Sequence, residues 1–268
     1  MSVFLIETNQ NCNFACKYCF YNEFGRSSLY LTLKQIESLF QNTEKADFYL
    51  TGGEPFLNPE ICSIVRYLSK KSNVSIFTNA SLITKKIIND VLPFVKMFFI
   101  SLDGFDFENS QRGHTIEVLR NVDILLENAK DKITIKTCLY GQSFDKYKEF
   151  VEVLNAKGIS HFSINIIGKN FLANSQKRNL KEILEWILMK GNLFDTHYVR
   201  VLYDYYILGK LPSFETCLAG NGFAYVSSSG KLIGCPDNNK DFVGKDKKDC
   251  FNPNCITFWE FFSKGGAS

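Results

Sequence analysis

Six short apolar runs, each followed by a stretch of helical periodicity, restrict this chain to a narrow set of folds. Val3–Ile6, Phe48–Leu50, Val74–Phe77, Met97–Leu102, Ile133–Tyr140 and Phe162–Ile167 are rich in β-branched and aromatic residues and read as strands. Ile36, Leu39 and Phe40 follow the capping box Thr32-Leu-Lys-Gln35, and Ile61, Ile64, Val65 and Leu68 follow Asn58-Pro59, a predicted N-cap with proline at the first helical position. Further helical patterns cover Ile87–Leu92, Ile116–Leu126, a stretch from Asp145 that Gly158 terminates, and Leu180–Met189. Strand–helix alternation of this kind predicts an α/β fold with a parallel sheet and right-handed crossovers. Six such units bend like part of a TIM barrel and fall short of the eight that close one. The predicted architecture is therefore a partial (β/α)6 TIM-like barrel.

In parallel α/β folds, chemistry gathers at the carboxyl ends of the strands. After the first strand comes Cys12-Asn-Phe-Ala-Cys16-Lys-Tyr-Cys19, spaced C-x3-C-x2-C. A cubane cluster normally takes four thiolates, so three close ones leave one iron with an open position. A zinc knuckle is the competing reading, but zinc sites pair C-x2-C with a second ligand pair some dozen residues on. Here the next cysteine is Cys62, and no histidine precedes His114. After the second strand comes Thr51-Gly-Gly-Glu-Pro55, the third ends in Thr78-Asn79-Ala80, and the fourth in Ser101-Leu-Asp-Gly104. Each alone reads as ordinary turn chemistry. Four in register on one rim, the first carrying three thiols, form a site.

C-x3-C-x2-C, GGEP, Thr-Asn and Ser-Leu-Asp-Gly, in that order, resemble the signature of the radical S-adenosylmethionine (SAM) enzymes, and the resemblance runs over nearly the whole chain. It implies that Cys12, Cys16 and Cys19 hold a 4Fe-4S cluster, and that SAM is cleaved there to a 5′-deoxyadenosyl radical that abstracts a substrate hydrogen. Gly52 and Gly53 allow backbone approach to the methionine end of SAM, with Glu54 near its ammonium. Asn79, Ser101 and Asp103 lie on the same rim, where small polar groups grip a ribose or carboxylate. Tyr18 offers an aromatic face for adenine. Arg112, in Gln-Arg-Gly-His, reads either as a contact to the SAM carboxylate or as a solvated surface arginine.

Beyond about Asp195 the pattern changes. Val199–Leu208 reads as a tyrosine-rich helix, and glycines, prolines and four cysteines follow Pro212, with a predicted hairpin around Ser227-Ser-Ser-Gly230. The division placed here is residues 1–200 for the barrel and 201–268 for a small cysteine-rich domain. Cys217, Gly230 and Cys235 are spaced C-x12-G-x4-C, similar to the opening of the SPASM and twitch domains, and Cys250 and Cys255 complete four thiols. The resemblance implies a twitch or shortened SPASM domain with a second, auxiliary 4Fe-4S cluster. A structural zinc on the same four cysteines is the alternative.

The chain has 268 residues, 45% of them hydrophobic, and a net charge of +3 with acids and bases mixed. No basic stripe points to nucleic acid, and no apolar run is long enough for a membrane. The N-terminus lacks the form of a signal peptide, so a cytoplasmic location is expected. Nine cysteines there point to metal ligation rather than disulfides. Cys62 fits a small core residue. Strand alternation turns Lys136, Cys138 and Tyr140 toward the barrel interior, with Ser163 and Asn165 on the next strand. His161 and His197 carry no role.

The resemblance implies modification of a ribosomally made peptide or protein, by a crosslink or residue oxidation, as the leading function. A small-metabolite dehydrogenase or rearrangement enzyme is the alternative, and a non-catalytic cluster or zinc scaffold a more distant one. Expected partners are the substrate and an electron donor such as flavodoxin or ferredoxin. The chain starts on its first strand without a winged domain, which would leave leader-peptide binding to a separate protein.

Overall fold

Level pairing of parallel strands brings their carboxyl ends to one rim. The computed structural model describes residues 2–105, 111–167, 174–210 and 222–234. In chain order these contain β1 (Ser2–Glu7), α1 (Tyr21–Phe24), α2 (Leu33–Phe40), β2 (Ala46–Thr51), α3 (Ile61–Ser69), β3 (Val74–Thr78), α4 (Lys85–Val91) and β4 (Met97–Ser101). There follow α5 (Thr115–Ala129), β5 (Ile133–Leu139), α6 (Phe144–Ala156), β6 (His161–Ile166), α7 (Asn174–Met189), α8 (Thr196–Tyr206), β7 (Phe223–Val226) and β8 (Leu232–Ile233). The sheet order is β6-β5-β4-β3-β2-β1-β7-β8. All neighbours from β6 through β7 are parallel, and only β7–β8 is antiparallel. Glu7 lies opposite Thr51, Leu50 opposite Ile76 and Thr78 opposite Ile100, so the loops that follow β1 to β4 leave from comparable heights.

The two faces of the sheet divide as strand alternation requires. Ile6, Phe48, Leu50, Ile76, Phe98, Ile100, Ile135 and Ile164 are fully buried on the helix-covered face. They meet Ile36 and Phe40 of α2, Ile64 and Leu68 of α3, Val118 and Leu125 of α5, and Val151 and Leu154 of α6, all within one core. The other face carries Tyr49, Phe77 and Phe99, with the Phe77 and Phe99 rings stacked 4.7 Å apart. Phe98→Ala is expected to lower unfolding free energy by about 3–5 kcal/mol, since a buried phenylalanine leaves a cavity that rigid strands cannot fill. A denaturant midpoint unchanged from the parent would place Phe98 outside the core.

Local signals act largely as the sequence reading expects. Thr32 and Gln35 form the reciprocal capping box of α2. Gly158, at φ +109°, lets the chain turn after α6, where Ile159 N–H donates to Leu154 O at 3.0 Å. Asn58 differs from expectation. Helix α3 starts at Ile61 with Glu60 as its N-cap. The Asn58 amide is instead buried and donates to Thr8 O and Leu31 O at 3.0 and 2.9 Å, fastening the rim loops together.

The hairpin predicted around Ser227–Gly230 is the β7–β8 turn. Its first strand adds to the edge of β1, Val3 opposite Phe223 and Ile6 opposite Val226, so this late segment extends the same mostly parallel sheet. Cys217, Cys235, Cys250 and Cys255 lie outside the described residues.

Candidate active site

The loop after β1 is held by its neighbours through backbone contacts. Gly53 N–H donates to Asn9 O at 2.9 Å and Glu54 N–H to Asn11 O at 2.8 Å. At both glycines a Cβ would lie 2.1 Å from a carbonyl oxygen, of Asn9 for Gly52 and of Asn11 for Gly53. Gly52 also has φ +140°, a conformation that other residues rarely adopt. The sequence reading places these glycines against SAM. They do line the cavity, but their first structural duty is to let the GGEP loop lie against the cysteine loop. Gly53→Ala should therefore displace Asn11, next to Cys12, lowering iron content and weakening SAM binding by about tenfold or more. Parental iron content and SAM affinity in that variant would contradict this.

Cys12, Cys16 and Cys19 line one cavity of about 170 Å³ together with Tyr18, Arg26, Gly52, Gly53, Phe77, Asn79, Ser101 and Arg112. Each sulfur accepts a hydrogen bond. Phe14 N–H reaches Cys12 Sγ at 3.4 Å, the Arg112 guanidinium reaches Cys16 Sγ at 3.9 Å, and the Arg26 guanidinium reaches Cys19 Sγ at 3.8 Å. Burial pushes the thiols of Cys12 and Cys16 up, with Arg112 opposing it at Cys16. These residues fit an iron–sulfur cluster: three thiols on one wall, each aimed at by a donor, need a cationic metal to remain thiolates in so buried a place. Among the described residues no three His, Cys, Asp or Glu side chains converge on a single metal ion.

Asn79 belongs to the same loop framework. Its amide donates to Asn13 Oδ1 at 3.0 Å and its Oδ1 accepts from the Ser81 N–H at 2.9 Å. Next to it, Ala80 sits fully buried at φ +61°, held by Asn121, whose amide bonds both Ala80 O and Ser81 O. A non-glycine residue in this region stores strain, which here sets the rim beside the cysteines. Glu54 is placed differently from expectation. It is fully buried behind the cavity wall, accepting from Thr78 Oγ1, Asn79 N–H and Phe56 N–H at 2.8, 2.8 and 3.1 Å. It positions the rim instead of facing the ligand space.

Burial pushes the Glu54 carboxyl up to about 7 from 4.5, with those three donors resisting. A carboxyl raised in the folded state favours folding while protonated, and that contribution is lost as pH rises from the unfolded value through about 7. Relative to Glu54→Gln, the parent should lose stability between those two pH values. A stability difference that is flat across that window would show that the donors win.

Asp103 is the second hub. It is fully buried and accepts from Tyr18 Oη, from Arg112 Nε and Nη2 at 3.3 and 3.1 Å, and from Cys138 N–H at 2.9 Å. Burial works against charge on Arg112, but Asp103 beside it holds the guanidinium protonated. Arg112 also lies over the Tyr18 ring, 5.4 Å from its centre. Arg112 is thus an interior residue rather than a surface one, and Tyr18 presents a ring fixed by its hydroxyl. Cys138 does face the interior as expected; burial pushes its thiol up to about 12.

A third hub has no counterpart in the sequence reading. Glu7, at the end of β1, is 3% exposed and accepts from Gln10 Nε2, Tyr21 Oη, Tyr225 Oη and Ser228 N–H at 3.0, 2.6, 2.5 and 2.9 Å. Burial opposes its charge, yet these donors hold the carboxyl below its ordinary value. Glu7 joins the helix after the cysteines to the C-terminal hairpin. The only sequence signal is an acid ending an apolar strand. Arg26 and the Phe14–His114 stack, with rings 4.4 Å apart, also went unread.

A mostly parallel α/β sheet with three thiols and a glycine-lined cavity on its carboxyl rim has the layout of an α/β enzyme whose chemistry lies at the strand ends. Residues 6–172 match the Radical SAM superfamily, and the chain belongs to it; it is a radical SAM enzyme. Among curated relatives it is 37% identical over 82 residues to a probable GTP 3′,8-cyclase of Pyrobaculum aerophilum, covering 29% of this chain and 26% of that protein. It is 23% identical over 277 residues to the radical SAM cyclopropyl synthase TigE of Paramaledivibacter caminithermalis, covering 89% of this chain and 58% of that one. The chain thus spans less than two thirds of these relatives' lengths. Among solved structures, Streptococcus suis SuiB superposes with a TM-score of 0.68 at 17% identity, over 96% of this chain and 65% of that one. The anSMEcpe structure with bound AdoMet gives 0.66 at 19%, over 95% and 79%. At such identities the likeness establishes the fold. No described helix is long and apolar enough to cross a membrane.

Proposed function

We propose that this enzyme cleaves SAM at Cys12, Cys16 and Cys19 and uses the resulting 5′-deoxyadenosyl radical to abstract a hydrogen from a ribosomally made peptide or protein. The observation that carries the cleavage is the single cavity in which the three thiols face Gly52, Gly53, Asn79, Ser101 and Arg112. When bound there, a 4Fe-4S cluster supplies the electron for SAM cleavage and an open iron for the SAM amino and carboxylate groups. The chain's own residues do the rest. Tyr18, its hydroxyl tied to Asp103, offers a fixed ring at the cavity wall, and Ser101 a hydroxyl. Arg112 holds Cys16 and the Asp103 carboxylate in one geometry. Glu54 and Asn79 act from behind, fixing the rim. The aromatic layer of Tyr49, Phe77 and Phe99 keeps water from the space where a radical must survive.

Support for a peptide substrate comes from likeness to proteins with such partners: one SuiB structure is bound to the precursor peptide SuiA, and an anSMEcpe structure holds a Cp18Cys peptide. In the same proposal, residues 1–200 form the barrel and residues 201–268 a twitch or SPASM-like domain, joined to the barrel by the β7–β8 hairpin that pairs with β1. There Cys217, Cys235, Cys250 and Cys255 hold an auxiliary 4Fe-4S cluster, for about eight irons per chain. The enzyme works in the cytoplasm with flavodoxin or ferredoxin as electron donor and a separate leader-binding protein. A second reading, a small nucleotide-like metabolite as substrate, is favoured by the local likeness to GTP 3′,8-cyclases. Deuterium transfer separates the two. Short peptides encoded beside this gene, made with deuterated amino acids, should pass deuterium into 5′-deoxyadenosine. Transfer from deuterated GTP and from none of the peptides would overturn the peptide reading.

A further inference from the structure

The three cysteine sulfurs differ in the charge of their donors. Cys12 Sγ accepts from the Phe14 N–H and the Asn79 amide at 3.4 and 3.8 Å, both neutral. Cys16 Sγ accepts from Arg112, whose charge the Asp103 carboxylate answers at 3.1 Å. Cys19 Sγ accepts from Arg26 Nη2 at 3.8 Å. Nη1 of the same guanidinium donates to Cys12 O and Phe14 O at 3.4 and 3.5 Å. Among the described residues no carboxylate pairs with Arg26, so a full positive charge stands beside the sulfurs.

The chain is built to hold Arg26 in that place. Gly25, at φ +74°, turns the backbone after α1, and the Ser27 N–H donates to Gln10 Oε1 at 2.6 Å. Gln10 is itself tied to Glu7 at 3.0 Å. Arg26 thus reaches the cavity wall from a loop anchored at the end of β1.

A cation so near favours the more negative of two charge states, and hydrogen bonds to the ligand sulfurs act in the same direction. We propose that Arg26 sets the reduction potential of the cluster held by Cys12, Cys16 and Cys19, raising it so that a low-potential one-electron donor can load the site. Arg26 acts through Cys19 Sγ as a positioning residue: iron is held without it, but the site takes an electron less readily. The step moves one electron, lost by the donor and gained by the iron–sulfur core, with no bond made or broken in the protein. The assignment rests on the cluster reading of the three thiols and goes beyond it by naming what controls the electron step.

The test is an anaerobic redox titration of the full-length, iron-reconstituted protein with titanium(III) citrate, which becomes titanium(IV) as each electron passes. The electron paramagnetic resonance signal that changes when SAM is added marks the cluster at this rim and is followed apart from any other. At a fixed potential, Arg26→Gln should lower the reduced-to-oxidised ratio about tenfold, a shift of about 59 mV for one electron. Arg26→Lys keeps the charge and should stay within about threefold of the parent. Arg178→Gln removes an arginine from the exposed surface of α7 and should leave the ratio unmoved. An unchanged ratio in Arg26→Gln, equal shifts in Arg26→Gln and Arg26→Lys, or an equal shift in Arg178→Gln would overturn the assignment. So would iron loss in either Arg26 variant, which would make the side chain a brace of the cysteine loop. A parent without a SAM-responsive signal would remove the cluster reading, and the role of Arg26 with it.

Discussion

Alanine at Cys12, Cys16 and Cys19 together is expected to reduce 5′-deoxyadenosine formation to background and to remove the iron bound at the β1 rim. These three thiols share one cavity with the glycines and Asn79, and no other described cysteine lines it. Under the proposed function these thiolates would hold the cluster that supplies the electron for SAM cleavage, so their loss should stop the reaction. The fold should survive, because Cys12 and Cys19 only fringe the core, alanine at Cys16 removes a single buried atom, and the buried strands keep their own packing. Anaerobic reconstitution followed by iron analysis and chromatography of SAM products reads both effects. Nucleoside production at the parental level would sink the assignment of this cavity as the site of cleavage.

Asp103→Ala has the next largest expected effect. The substitution leaves the Arg112 guanidinium, 10% exposed, without its carboxylate, and it frees Tyr18 Oη and Cys138 N–H. An unpaired charge at such depth costs about 3–5 kcal/mol of stability. SAM affinity should fall as well, since Tyr18 and Arg112 lose the group that fixes them at the cavity wall. The double variant Asp103→Leu, Arg112→Met tells structure from function. Replacing both charges with apolar groups should restore much of the denaturation midpoint, yet leave SAM binding impaired. Recovery of SAM affinity along with stability would show that the pair only supports the fold.

Much of the architecture was legible because its causes are local. Thr32 and Gln35 lie within one helical turn, Gly158 sits at one helix end, and each apolar run is long enough to pair. The cysteine, glycine and Asn79 positions were legible as a set because parallel strands bring their ends to one edge. What escaped reading depends on contacts distant in sequence. Glu7 and Tyr225 are 218 positions apart, and no local pattern announces that a strand-end acid will meet a late hairpin. Glu54 and Arg112 were visible as candidates but not as interior partners. Their roles follow from which donors surround them, a property of the assembled rim. Asn58 shows the converse: a residue suited to cap a helix is used instead to bridge two carbonyls of neighbouring rim loops, Thr8 O and Leu31 O.

The pairing of β7 with β1 carries a consequence for synthesis. As the chain leaves the ribosome, its first strand can join β2 early, but its other edge has no partner until Phe223–Val226 emerge. An open strand edge recruits foreign strands, so the nascent protein carries an aggregation hazard for most of its translation. Closure comes only when Tyr225 and Ser228 arrive at Glu7, the carboxylate that Tyr21 already holds from the cysteine side. The carboxylate at the end of the first strand is therefore among the last groups of the rim to gain its full set of donors, long after the cysteine loop beside it has met Gly53, Glu54 and Asn79.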